Sequence, residues 1–454
     1  MAEITTSIVQ FDAKRAADAT PIHLVHSGSR TAINEQLPTE AAKTATLMNF
    51  NGELGAVVAT PDGVLVGVGD GRDPFAVGAA ASRLGAGDYR LASSKLKSAV
   101  PLVVLGWALG AYRFDKYKNA MATPTLIAPE GLELAPVHQQ AKAVALVRDL
   151  VNTPTEDMGP AQLAAAAKSL GASFDARIEI TEGEALRKGF PLVHAVGRAA
   201  ATPPLLVDLR WGPEDGVPVT LVGKGVCFDS GGLNIKGSTG MALMKKDMGG
   251  AANALGLASM IMAADLPIKL RVLIPAVENA IGGNAFRPGD VFTSRSGQTV
   301  EISNTDAEGR LILADALAYA AEEKPARIIS LATLTGAARV ALGPDIVPLY
   351  STDDDFANAV VESGTRVNDP VWRMPLWARY DDYLSSQIAD VNHASTGGFA
   401  GSITAALFLR RFVDKSIPYT HLDIYAWTPE QRPGRPKGGE ATGIRALYDT
   451  LAKI

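Results

Sequence analysis

Val300-Glu301-Ile302-Ser303-Asn304-Thr305-Asp306-Ala307-Glu308-Gly309-Arg310-Leu311-Ile312-Leu313-Ala314-Asp315-Ala316-Leu317-Ala318-Tyr319-Ala320 changes periodicity within a few residues. Val300 to Ser303 reads as a strand or strand end. Leu311 to Ala320 is rich in Ala and Leu, with apolar residues at helical spacing. Asp306, Glu308 and Arg310 therefore fall at a helix start. There, unpaired backbone N–H groups and the positive end of the dipole favour anions. Two readings fit. The acids hold a metal and the arginine holds an anion beside them; or Asp306 caps the helix, Glu308 favours its first turn and Arg310 is solvated. The stretch taken alone favours the second.

The same alternation extends outward. From about residue 160, helices and apolar strands follow one another, an α/β signature. Helices are expected at Pro160 to Leu170, Met248 to Ala264 and Ser402 to Val413. Strands are expected at Pro218 to Gly223, Leu270 to Pro275, Ala326 to Thr333 and Tyr419 to Ile424. Ligands in such sheets bind at the carboxyl ends of strands, which points to the loops after Val222, Thr333 and Ile424. Val137 to Val151 reads as a helix stopped by Asn152-Thr153-Pro154. The expected fold is a two-domain α/β protein: a smaller N-terminal α/β domain (1–130), a connecting helix (131–151) and a larger C-terminal α/β catalytic domain (152–454). The larger domain is expected to have a mixed central sheet flanked by helices.

The N-terminal region carries turns and short apolar runs but no catalytic constellation. Gly55 to Ala59 and Val64 to Val68, separated by Pro61-Asp62-Gly63, predict a hairpin. Phe75 to Leu84 reads as a helix. Leu102 to Trp107 fits a buried strand or a helix equally. Gly67-Val68-Gly69-Asp70-Gly71 lacks the spacing of a dinucleotide fingerprint and reads as a turn.

Composition narrows the class. The 454 residues are 47% hydrophobic and 20% charged, as in soluble globular proteins. A net charge of −5 argues against a nucleic-acid partner. The single cysteine, Cys227, excludes an intrachain disulfide and reads as a core thiol. Residues 1–6 hold an acid where a signal peptide is basic, and no apolar core follows. The most apolar run, Val100 to Ala111, is too short to span a bilayer. These features predict a cytoplasmic protein with no membrane association.

The chemistry-bearing residues gather in the second domain. After the Pro218 strand comes Gly223-Lys224-Gly225-Val226-Cys227-Phe228-Asp229-Ser230-Gly231-Gly232, which is neither a Walker loop nor a serine-hydrolase elbow. What remains is Lys224 and Asp229 on a glycine-rich loop at a strand end. Lys236 follows on the same loop. Asp247 stands at the expected start of the next helix, where on its own it reads as a cap. Asp229, Asp247, Asp306 and Glu308 in one pocket would repel one another unless partnered. Two divalent cations would neutralise them, a known hydrolytic device. There is no His-Glu-x-x-His, so such a site is oxygen-rich. A lysine ligand must lose its proton, which costs roughly 4–5 kcal/mol at pH 7. Residue chemistry alone therefore favours Lys224 as a nearby charge rather than a ligand.

Order and spacing across five segments resemble the leucyl (cytosol) aminopeptidases, peptidase family M17. The segments are Asn304 to Leu311; Gly223-Lys224-Gly225 with Phe228 to Gly232; Lys236; Met244-Lys245 with Asp247-Met248; and Ala332-Thr333-Leu334-Thr335-Gly336-Ala337. The resemblance covers residue 140 onward and implies a metal-dependent aminopeptidase releasing N-terminal leucine and other apolar residues. It implies two divalent metals per subunit, Zn²⁺, Mn²⁺ or Mg²⁺, sharing a water that attacks the peptide. Lys224, Asp229, Asp247 and Glu308 are implied ligands of one, which reverses the reading of Lys224. Asp229, Asp306 and Glu308 are implied ligands of the other. Lys236 and Arg310 are the implied catalytic residues, with bicarbonate on Arg310. Met244 and Thr333 are implied to line the first side-chain pocket, and the backbone of Leu334 and Gly336 to hold the peptide. Peptides with a free N-terminus and a homohexameric assembly are further implications. Gly237 departs from the proline common in relatives.

Overall fold

A computed structural model of the protein describes residues 7–92, 100–119, 122–395 and 397–454. The N-terminal residues 1–6, read above for their lack of a signal-peptide pattern, lie outside the described residues. The chain forms two compact units. One is Met1–Ala145 with Thr428–Gly438; the other is Leu146–Trp427 with Gly439–Ile454.

In the first unit the described residues build a six-stranded sheet. Its order is Val9–Gln10, Pro124–Ile127, Gly87–Leu91, Thr20–His26, Gly63–Gly69 and Val57–Thr60. Neighbours run parallel except the last two, which form the expected hairpin with Thr60 opposite Gly63. The helix expected from Phe75 is shorter, Gly78–Arg83. The run that fitted strand and helix equally is the helix Val100–Gly110, with Val103 to Gly110 all buried. A helix enclosed on every side has no polar face and so leaves no periodic signal.

The second unit is built on a main sheet of nine strands among the described residues. They are β1 (Arg177–Glu182), β2 (Leu205–Trp211), β3 (Val217–Gly223), β4 (Gly225–Asp229), β5 (Ile268–Asn279), β6 (Arg327–Ala332), β7 (Val347–Ser351), β8 (Val371–Arg373) and β9 (Tyr419–Asp423). The order is β8-β7-β9-β6-β3-β5-β2-β1, with β4 also on β5. The central run β9, β6, β3, β5 is parallel; β7 and β2 are antiparallel to their inner neighbours. The sheet is thus mixed, as expected.

β4 corrects one expectation. Gly223 to Gly232 is not a continuous loop. β5 pairs with β3 only as far as Leu273 opposite Val222, and its remaining edge is taken by β4, with Gly225 opposite Ala276, Val226 opposite Val277 and, after a register shift, Asp229 opposite Asn279. Lys224 alone separates β3 from β4. Cys227 is buried and free, and burial pushes its thiol pKa up, as suits a core residue.

Four helices matter to the site: α1 (Gly249–Ala263), α2 (Glu308–Glu322), α3 (Gly336–Leu342) and α4 (Gly401–Arg410). α1 packs on β3 and β6, and α2 on β3 and β5. A Cβ on Gly250 would lie 2.2 Å from the Leu331 carbonyl oxygen, so glycine lets α1 begin against the strand ends. α2 buries Leu311, Ile312, Leu313, Ala314, Ala316 and Leu317 completely. Each such leucine or isoleucine contributes about 1.5–3 kcal/mol of burial. That anchorage fixes the first residue of α2, Glu308.

Candidate metal centre

Parallel strands end together, so the residues that follow them share one rim. β3 hands on to Lys224, β4 ends at Asp229, β6 leads to Thr333 and β9 ends at Asp423. The short strand Thr299–Glu301 pairs in parallel with Val391–Asn392 and leads to Asp306 and α2. The cap reading of the opening stretch fails here. Ala307 occupies the cap position of α2 with no side-chain cap bond, and Arg310 is buried rather than solvated. Asp247 is not a cap either. It lies in the 3-10 turn Met244–Met248, before α1 begins at Gly249.

The four acids and two lysines interlock. Lys224 Nζ lies 2.7 Å from Asp247 Oδ2 and 2.9 Å from Glu308 Oε1, and donates to the Thr333 carbonyl at 2.9 Å. Lys236 Nζ lies 2.8 Å from Asp229 Oδ2 and also pairs with Asp306 Oδ1. The Thr333 hydroxyl donates to Asp247 Oδ1 at 2.8 Å. Oxygens of Asp229, Asp306 and Glu308 lie within 4.8 Å of one another. Glu308 is 1% exposed, and its Oε2 has no hydrogen bond among the described residues.

The electrostatics follow from this crowding. Burial, then the neighbouring Asp247 charge, raises the pKa of Asp229. Burial, with Glu308 adding repulsion, raises those of Asp247 and Asp306. Burial alone would lower Lys224, but Asp247, Glu308 and Asp229 outweigh it and raise its pKa. Lys236 is likewise raised, Asp229 and Glu308 outweighing burial. Burial lowers Arg310 to about 10, which leaves it charged at neutral pH. Its Nη1 donates to the His393 carbonyl at 2.8 Å, and its Nε is buried without a partner among the described residues.

Several supporting residues escaped the sequence reading. Asn279, at the end of β5, donates to Asp229 Oδ1 at 2.8 Å and to the Thr305 carbonyl at 3.0 Å, tying the Asp229 segment to the one that carries Asp306. Asp423 accepts from Leu334 N–H (3.0 Å), Thr335 N–H (3.1 Å), the Thr335 hydroxyl (2.7 Å) and the Ser402 hydroxyl (3.0 Å). It therefore sets the loop from Leu334 to Gly336. Its one sequence signal was its place at the end of the strand leading to Ile424. His393 Nε2 lies 2.9 Å from the Asn304 carbonyl, and Nδ1 lies 3.1 Å from the Glu301 carbonyl and 3.3 Å from the Ser303 N–H. Burial, then the Arg310 charge, outweighs the two carbonyls and lowers its pKa to about 3, so the ring is neutral. Gly309 completes the set, because a Cβ there would lie 2.5 Å from Lys224 Cε.

One pocket of about 650 Å³ gathers every site residue singled out from sequence: Lys224, Asp229, Lys236, Met244, Asp247, Asp306, Glu308, Arg310, Thr333, Leu334 and Gly336. It also admits Lys246, Arg339 and Tyr425. Among the described residues no helix is long and apolar enough to cross a membrane.

Residues 145–448 match the family model described as "Cytosol aminopeptidase family, catalytic domain", and residues 21–128 match "M17 aminopeptidase, N-terminal domain". The chain is 43% identical over 377 residues to the probable cytosol aminopeptidase of Syntrophotalea carbinolica, covering 78% of this chain and 75% of that protein. The solved cytosol aminopeptidase of Coxiella burnetii is similar with a TM-score of 0.93 and 43% identity over 99% of both chains. The bottromycin maturation enzyme BotP in complex with Mn is similar with a TM-score of 0.86 and 32% identity, also over 99% of both.

Proposed function

The chain belongs to the cytosol aminopeptidase family, peptidase family M17, and from that premise we propose that it uses two divalent metal ions to release N-terminal residues, leucine and other apolar ones foremost, from peptides with a free N-terminus. The observation that carries the two-metal reading is the carboxylate cluster itself. Asp229, Asp306 and Glu308 converge, and Glu308 Oε2 is buried without any compensating donor. Leaving such an oxygen buried and unpaired is costly, and a cation offsets that cost.

Lys224, Asp229, Asp247 and Glu308 would hold one metal; Asp229, Asp306 and Glu308 the other. Carboxylates with one amine suit Zn²⁺, Mn²⁺ or Mg²⁺. The Mn complex of the similar enzyme BotP favours Mn²⁺ among them. Bound here, the metals would supply an activated water and polarise the scissile carbonyl. Lys224 is held as an ammonium by its acid neighbours, so service as a ligand would require that proton to be displaced to solvent when a cation binds.

The protein's own groups do the rest. Lys236 stays charged and stabilises the oxyanion, since a preset cation gains most where charge develops in a dry site. Arg310, charged and with Nε unspent, holds bicarbonate as the base beside the leaving amine. The Leu334 N–H is already committed to Asp423, so its carbonyl is what it offers the peptide. Gly336 opens α3, and the first N–H of a helix has no acceptor within it, which leaves it for the substrate. Met244 and Thr333 bound the first side-chain pocket. A homohexameric assembly belongs to the same reading, and sedimentation velocity tests it.

The deciding experiment compares leucyl-glycyl-glycine with its N-acetyl form on Mn²⁺-loaded protein. An aminopeptidase hydrolyses only the free peptide. Equal hydrolysis of both would instead support a general dinuclear amidase.

A further inference from the structure

We infer that the pocket wall made by Arg339, Lys246 and Tyr425 recognises a carboxylate on the substrate, an inference that rests on the aminopeptidase reading and adds anionic substrates to it. Lys246 Nζ lies 5.2 Å from the centre of the Tyr425 ring, and the Arg339 guanidinium carbon lies 4.8 Å from it. Two cations thus share one aromatic ring in the pocket that holds the acid cluster. Among the described residues neither cation has a carboxylate partner. The pocket's acids are committed elsewhere. Asp247 and Glu308 pair with Lys224, and Asp229 and Asp306 pair with Lys236. Asp423 is spent on Leu334, Thr335 and Ser402.

The wall stands next to the residues expected to bind substrate. Arg339 lies one turn into α3 from Gly336, and a Cβ on Gly336 would lie 3.8 Å from Arg339 Nη2. Lys246 lies two residues after Met244 in the same turn and is 5% exposed. A ring face compensates a cation only in part. Lys246 is desolvated without a counter-ion, which is costly, and an arriving carboxylate gains by relieving it; Arg339 is exposed and adds a charge-assisted bond from the pocket's open side. That carboxylate has two possible sources: the side chain of an N-terminal glutamate or aspartate, or the C-terminal group of a dipeptide. The chemistry is shared, and two substrate pairs separate the sources.

The test measures kcat/KM on the full-length, Mn²⁺-loaded protein for glutamyl-glycinamide against glutaminyl-glycinamide, and for leucyl-glycine against leucyl-glycinamide. We expect the charged member to be favoured about tenfold in at least one pair, and the pair that responds identifies the source. In Arg339→Leu and in Lys246→Met the ratio falls toward one; in Arg339→Glu it inverts. Each ratio is taken within one preparation, so a variant that folds poorly still reports it. Ratios near one in both pairs for the unsubstituted protein overturn the inference. So does a preference that survives both neutral substitutions. Absence of hydrolysis of all four substrates overturns the aminopeptidase reading itself, whereas hydrolysis without charge preference overturns only the inference.

Discussion

Replacing Gly309 by alanine adds one methyl group in the tightest part of the site. The new Cβ would lie 2.5 Å from Lys224 Cε and 2.6 Å from its Nζ. Reaching an ordinary contact near 3.4 Å requires the lysine to retreat by about 0.9 Å. A shift of that size is enough to break its 2.7 Å approach to Asp247. Lys224 would then no longer stand where it would hold a metal with Asp247, and a misplacement of about 1 Å can cost about 10²-fold, so kcat/KM should fall at least tenfold. Overpacking costs about 1–3 kcal/mol, but alanine in a helix returns up to about 1 kcal/mol relative to glycine. The fold should therefore lose no more than about 3 kcal/mol, and the urea curve shows whether the variant is folded in the assay. Gly237→Ala provides the contrast, since a Cβ at Gly237 meets nothing within 4 Å and its φ of −63 suits any residue. The assay is hydrolysis of leucine p-nitroanilide at saturating Mn²⁺, with urea unfolding of each variant. If Gly309→Ala stays within twofold of the unsubstituted protein while remaining folded, the close approach of Lys224 has no bearing on the chemistry and the reasoning fails.

Other perturbations follow from the same geometry. Lys236→Met should lower kcat by about 10²–10³ with a smaller change in KM, and steady-state kinetics will show it. Asp423→Ala leaves the N–H groups of Leu334 and Thr335 without their acceptor. It should raise KM for tripeptides and cost about 2 kcal/mol or more in urea unfolding. Burial, with a further push from Arg310 at His393, lowers His393 and His421 to about 3. Both are neutral in the folded protein but protonate near 6.5 when unfolded. Their stabilisation is present above about 6.5 and is lost as pH falls toward 3. At pH 5 each should cost about 2 kcal/mol relative to pH 7. Urea midpoints at the two pH values check this, and His421→Asn should remove one histidine's share of the slope.

The α/β alternation was legible because α2 and the parallel strands each carry their own period, and strand ends in such sheets mark the site. Asp229, Asp306 and Glu308 could be named because their spacing lies within short motifs. The boundary of β4 was not legible. Gly225–Asp229 becomes a strand only because β5 extends beyond β3, and no local pattern records that. Asp247 looked like a helix cap because a 3-10 turn and the first turn of a helix look alike in sequence. Asn279 and Asp423 act on partners tens of residues away, on Asp229 and on the Leu334 loop, so no window along the chain contains both halves of the interaction. Gly309 was read as part of a motif, but its physical reason, the passage of Lys224 over it, exists only once β3 and α2 meet.

The central claim is that Glu308 joins two metals in one catalytic cluster. Metal bound per chain, by mass spectrometry of Mn²⁺-equilibrated and desalted protein, tests it most directly when measured alongside leucine p-nitroanilide hydrolysis. The account predicts two Mn²⁺ in the unsubstituted protein, and at most one, with hydrolysis lost, in Glu308→Gln. Near-normal hydrolysis by Glu308→Gln at saturating metal, with two ions still bound, would contradict it.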